Sequence, residues 1–176
     1  MRIKPASIII TITVLLIGLS LVFAMGRKPD QEDSPAKREP AEEFSLSDLY
    51  GNAVSLSDFK GKVVFLNFWA ERCPACRSQM PSVQALHEKL KGKDFQVISV
   101  NLNEDPQDVK EYIEGNGYSF RVLLDRQNIV ARRYSVVYIP TTFIIDKNGY
   151  IVAQVVGARN WTDGPMIQEI KSLIEE

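Results

Sequence analysis

The fold is decided at Val63-Val64-Phe65-Leu66-Asn67-Phe68-Trp69-Ala70-Glu71-Arg72-Cys73-Pro74-Ala75-Cys76, which holds both cysteines of the chain. The apolar run 63–68 reads as a buried strand, and Arg77 to Lys91 reads as a helix. A cysteine pair separated by two residues at a strand-to-helix junction points to a redox-active dithiol. If the helix begins at this turn, Pro74 takes its first position, where a missing N–H costs nothing. Cys73 then sits among unpaired backbone donors at the positive end of the helix dipole. Thiolate is the attacking species in disulfide exchange, and such a place favours it, with Arg72 adding positive charge. Cys73 is therefore expected to be the exposed nucleophile, and Cys76, one turn further in, to resolve the mixed disulfide. A purely structural disulfide is the competing reading, but so short a loop removes little chain entropy when cross-linked. No metal site is expected, because structural zinc needs four ligands and the chain adds only His87 to its two cysteines.

Outward from this stretch, the pattern is that of one α/β domain. Phe44 to Leu49 and Ala53 to Leu56 flank a Gly51-Asn52 turn and suggest a β-hairpin. Met80, Val83, Leu86 and Leu90 recur at helical spacing after Cys76, with Pro81 expected to kink that helix. A second buried strand covers 95–100, and Asp105-Pro106 opens a helix that ends near Glu114. A short strand 121–124 and a short helix 128–134 follow. Strands 142–145 and 150–156 are joined by a hairpin loop, and a last helix begins at Asp163-Gly164-Pro165. Strands alternating with helices and closed by a hairpin argue a central mixed β-sheet flanked by helices.

The 176 residues carry 21 Lys and Arg against 22 Asp and Glu, a net charge of −1 that gives no electrostatic case for nucleic acid. The N-terminus differs from the rest. Ala6 to Met25 is 20 residues without a charge, about 30 Å as a helix and enough to cross a hydrocarbon core. This length favours an uncleaved signal-anchor over a cleaved signal peptide, whose apolar region is about 7–15 residues. Residues 1–26 are read as this single transmembrane segment. Residues 27–41 are charged and proline-rich, a tether that cannot offset its ordering entropy by burial. Residues 42–176 form the folded domain, expected on the outer or periplasmic face of the cell membrane.

Phe68-Trp69-Ala70-Glu71-Arg72-Cys73-Pro74-Ala75-Cys76-Arg77-Ser78-Gln79-Met80-Pro81 resembles the active-site segment of thioredoxin-fold proteins. The domain as a whole resembles the TlpA/ResA-type membrane-anchored thiol–disulfide oxidoreductases. The hairpin 44–56 with its lead 57–62, the segment 100–125 and Ile139-Pro140-Thr141-Thr142 through Gly149 carry that likeness. The resemblance implies a thioredoxin-like fold with an N-terminal hairpin and one βα insertion. It implies a cis Pro140 beside the cysteines, and Ile139 pairing with the substrate backbone. It also implies reductase chemistry without a cofactor beyond the redox-active disulfide. Apocytochrome c during cytochrome c maturation is the expected protein substrate, and a membrane thiol–disulfide protein the electron donor.

Three places depart from the pattern. Arg72 replaces the usual tryptophan before the first cysteine, which changes what a partner meets. Asn67 and Gln79 stand where related proteins carry carboxylates, and an amide cannot accept a proton as a base does. Proton removal from Cys76 is therefore expected to be slow near neutral pH. Trp69 is read either as a contact under the site or as core, and Tyr138 and Trp161 as a substrate rim or plain surface aromatics. General disulfide oxidase or isomerase activity, a peroxiredoxin and a non-enzymatic copper carrier are the alternatives. Ala70 replaces the threonine expected of a peroxiredoxin. The cysteine spacing is one short for the copper carriers, and no histidine follows His87.

Overall fold

The computed structural model of the chain describes residues 38–176. The elements are β1 (Glu39–Pro40), β2 (Ser45–Asp48), β3 (Ala53–Ser55), a 3-10 turn (Leu56–Phe59), β4 (Val63–Trp69), α1 (Pro74–Lys89) and β5 (Phe95–Leu102). They continue with α2 (Pro106–Gly115), β6 (Arg121–Asp125), α3 (Ile129–Arg133), β7 (Thr141–Ile145), β8 (Tyr150–Val156) and α4 (Gly164–Glu175). All strands join one sheet in the order β1-β8-β7-β4-β5-β6-β2-β3. β4, β5 and β6 run parallel, and the other pairings are antiparallel.

β4 lies at the centre, buried along its whole length. Its alternation assigns the layers. Val63, Phe65 and Trp69 pack with Met80, Val83 and Leu86 of α1, Val109 and Ile113 of α2, and Ile167, Ile170 and Leu173 of α4. Val64, Leu66 and Phe68 pack on the opposite face with Val130, Ala131, Tyr134 and Phe143. At about 1.5–3 kcal/mol for each large side chain removed from water, these two layers are the main stabilising term. Asn67 interrupts the first layer with a polar side chain that is fully buried.

Expected and observed elements differ in informative ways. α1 begins at Pro74, directly behind Cys73 as expected, and ends at Lys89, two residues before the expected Lys91. β5 extends two residues further than its apolar run, because Asn101 and Leu102 still pair with Leu124 and Asp125 of β6. Glu39 and Pro40, assigned by sequence to the tether, pair with Ile151 and Tyr150. Proline is tolerated there because β1 is an edge strand. Among the described residues no helix is long and apolar enough to cross a membrane. The apolar run 6–25 and most of the expected tether lie outside the described residues.

Candidate active site

The two cysteines sit at the C-terminal end of β4, where the chain turns into α1. Cys73 is the N-cap of α1, and its Sγ accepts the Cys76 N–H at 3.2 Å. The sulfur thus takes the capping role of a serine or aspartate oxygen and satisfies a donor at the helix start. The Ile139–Pro140 peptide is cis and faces the cysteines. The Cys73 thiol lies 3.8 Å from the Ile139 carbonyl oxygen, to which it donates. Both cysteines are free thiols, Cys73 half-buried and Cys76 buried. Burial, reinforced by the hydrogen bond to Cys73, pushes the Cys76 thiol up to about 12. The pair is therefore asymmetric, with one sulfur reachable and one withdrawn.

Beneath the pair lies a seam of buried amides. Gln79 on α1 donates from Nε2 to Asn67 Oδ1 at 2.9 Å, and Thr142 Oγ1 donates to the same oxygen at 3.1 Å. Asn67 Nδ2 is 3.4 Å from Ser99 Oγ. Trp161 Nε1 donates to Gln79 Oε1 at 3.2 Å. Asn67 and Gln79 are thus locked to each other by neutral hydrogen bonds. A surface groove of about 580 Å³ lined by Ser78, Pro81, Ser82 and Arg159 reaches Gln79 from the side.

Other residues singled out from sequence fall in different places. Trp69 is completely buried, with its ring 5.7 Å from that of Tyr112, and belongs to the core. Trp161 is buried too, edge-on to Phe65 at 4.7 Å, so it forms no rim. Tyr138 and Val137 are 71% and 80% exposed, next in sequence to Ile139, whose carbonyl meets Cys73. Arg72 is not a free charge. Its guanidinium lies 3.2 Å from Glu104 and 3.3 Å from the Asn103 carbonyl. His87 has its pKa lowered by burial and lies in α1 near the end away from the cysteines. Among the described residues no cluster of metal-ligating side chains occurs.

Sequence reasoning missed Glu104. Its carboxylate accepts the backbone N–H of Glu71 at 2.6 Å and of Arg72 at 3.0 Å, and the Asn101 side-chain amide at 2.6 Å. Glu104 stands 31 residues after Cys73 with no spacing signature to mark it. The one hint was Asn103, whose φ of 52° turns the chain back toward the end of β4.

A central sheet with helices on both faces, a dithiol at the N-terminus of the first long helix and a cis proline opposite define a thioredoxin-fold thiol–disulfide oxidoreductase. The comparisons with known proteins agree. The family model described as AhpC/TSA matches residues 38–154. A thiol-disulfide oxidoreductase ResA of Geobacillus kaustophilus is 38% identical over 123 residues, 70% of this chain and 71% of that protein. Another of the same name, from Halalkalibacterium halodurans, is 34% identical over 164 residues, covering 93% and 91%. Among solved structures, a thiol:disulfide interchange protein of the thioredoxin family from Chlorobium tepidum superposes with a TM-score of 0.72. It is 27% identical and covers 80% of this chain and 99% of its own. The chain belongs to the AhpC/TSA family and, within the thioredoxin fold, to the ResA-type thiol–disulfide oxidoreductases.

Proposed function

We propose that the protein is a membrane-anchored, extracytoplasmic reductase of protein disulfides, with Cys73 as attacking thiol and Cys76 as resolving thiol. The observation that carries the assignment of roles is the asymmetry of the pair: Cys73 is reachable at the helix cap, and Cys76 is withdrawn with its thiol pushed up to about 12 by burial. In the first step the Cys73 thiolate attacks one sulfur of the substrate disulfide. A Cys73–substrate disulfide forms, and the other substrate sulfur leaves as thiolate and takes up a proton. The Cys76 thiolate then attacks Cys73 Sγ, which releases the second substrate thiol and leaves a Cys73–Cys76 disulfide. Two electrons pass to the substrate. A membrane thiol–disulfide protein returns them.

The substrate is proposed to be apocytochrome c, whose paired cysteines must be reduced before haem attachment. Ile139, ahead of the cis Pro140, would pair with an extended substrate backbone, and Tyr138, exposed beside it, would cover that backbone. Arg72 acts on partner choice through a charge already shared with Glu104. Trp69 serves from the core, as a support under the site. A peroxide reductase is disfavoured because Ala70 lacks the hydroxyl such a site needs at that place.

The reduction potential of the Cys73–Cys76 couple tests the direction. A value near about −270 mV or lower supports a reductase, and one near about −120 mV makes the protein an oxidase. Cys76→Ser is expected to accumulate a mixed disulfide with substrate, whereas Cys73→Ser forms none; trapping through Cys76 alone would reverse the roles. The anchor is tested by the size and membrane association of the mature protein, and a shortened soluble product would refute it.

A further inference from the structure

We propose that Glu104 is the positioning residue of the redox turn: by accepting the backbone N–H groups of Glu71 and Arg72 it sets the pose in which Cys73 meets both Cys76 and Ile139. The proposal rests on Cys73 and Cys76 being the redox couple. The two N–H groups lie in the turn between β4 and α1, outside any strand or helix ladder, so a partner must come from elsewhere in the fold. Glu104 supplies it from beyond β5, at 2.6 and 3.0 Å, with its side chain only 9% exposed. Each carboxylate oxygen is used twice. Oε1 takes the Arg72 N–H and guanidinium, and Oε2 takes the Glu71 N–H and the Asn101 amide.

That arrangement is specific to a carboxylate. Glutamine has one carbonyl oxygen, so whichever way its amide is turned, two of these donors would face an NH₂. Asn101 shows the strength of the preference. Its amide nitrogen is committed to Glu104 while its own Oδ1 is buried without a partner. The residue after Arg72 is Cys73, whose N–H donates to Ala70 at 3.3 Å and whose sulfur caps α1. A turn clamped at Glu71 and Arg72 leaves Cys73 little freedom to move away from Cys76 and Ile139.

The same carboxylate acts on Cys76 through charge. Burial is the main reason that thiol is held up, followed by Cys73; the negative charge of Glu104 adds a smaller contribution in the same direction. These two residues are the titratable groups acting on Cys76. The clamp therefore has an electrostatic signature that a packing role lacks.

The test compares the full-length wild type, Glu104→Gln and Glu104→Asp. Hydrogen exchange at the Glu71 and Arg72 amides is expected to accelerate roughly tenfold or more in Glu104→Gln, as a charge-assisted hydrogen bond is lost. Insulin reduction is expected to fall by about tenfold as the reacting atoms lose alignment. In a Cys73→Ser background, Glu104→Gln is expected to speed alkylation of Cys76 at a given pH, and Glu104→Asp, which keeps the charge, to leave that rate near wild type. Unchanged exchange and turnover in Glu104→Gln would overturn the proposal. So would a loss of turnover that merely follows loss of folded protein, with the Cys76 alkylation profile unmoved. A wild type that fails to reduce insulin while exchange and alkylation respond as described would sink the reductase reading and leave the clamp standing.

Discussion

Replacing Gln79 by Glu exchanges one amide nitrogen for oxygen at constant size, and tests how the site handles the proton of Cys76. In its neutral form the new side chain fits the seam. Its O–H can donate to Asn67 Oδ1 as the amide does at 2.9 Å, and its other oxygen can keep the Trp161 hydrogen bond. Ionised, it would set an anionic oxygen against Asn67 Oδ1, which already receives Thr142. Burial to 2% exposure adds to that cost, so the folded-state pKa is expected to rise well above that of free glutamate. A group raised in the folded state stabilises fully below its unfolded pKa and loses that contribution as pH climbs through the folded one. The variant should match wild type near pH 4, lose about 1.4 kcal/mol for each pH unit above that, and level off once pH passes the raised folded-state pKa. The kinetic consequence has the opposite sense. With the Cys76 thiol pushed up to about 12, its thiolate is scarce near neutral pH, and the wild-type rate should climb with pH by up to tenfold per unit. A carboxylate poised near neutrality contributes about 10²–10⁴-fold and flattens the profile. Insulin reduction from pH 6 to 9 and thermal unfolding from pH 4 to 9 measure both effects. A wild-type rate flat across pH 6–9 and unchanged in Gln79→Glu would refute the reasoning.

Trp161→Phe keeps the edge-on contact with Phe65 but leaves Gln79 Oε1 without its donor, and should cost about 1–3 kcal/mol in denaturant unfolding; a neutral result would mean that Gln79 finds another donor. In the β2–β3 turn, Asp48 accepts the Tyr50 and Asn52 N–H groups, both at 2.9 Å. Burial alone would raise its pKa, yet hydrogen bonds from Asn52 and Tyr50 and the charge of Arg121 bring it below the ordinary value. A lowered carboxyl stabilises above its unfolded pKa and loses that contribution as pH falls through the folded one. Asp48→Asn should therefore be about 1–2 kcal/mol less stable at pH 7, with the gap closing in acid. A gap that stays constant with pH would count against this assignment.

The central elements were legible because each carries its own signal. The run 63–68 announces a buried strand, and the cysteine spacing with Pro74 marks a capped helix start. The chemistry of the turn depends on partners that no local pattern reveals. Gln79 stands out in the sequence only as an amide where related proteins carry a carboxylate; its partners Asn67 on β4 and Trp161 in the loop before α4, with Thr142 of β7 on Asn67, come from distant elements. Trp161 reads as a rim or a surface aromatic, and both readings place it outside, yet Phe65 and the Arg159 guanidinium enclose it. Glu104 depends on the backbone turn at Asn103. Pro40 argues against a strand by composition, and only the free edge of β8 makes its pairing possible.

The two-residue pairing of Glu39 and Pro40 also decides where any load on the domain is applied. Tyr150 and Ile151, their partners, follow the turn at the start of β4, and the thiols lie past its far end. The seven residues of β4 put about 23 Å between the two ends. Tension entering the domain at Arg38 would thus be met first by the Arg38–Asp146 ion pair and by β1 along β8, at the end of the sheet away from the cysteine turn.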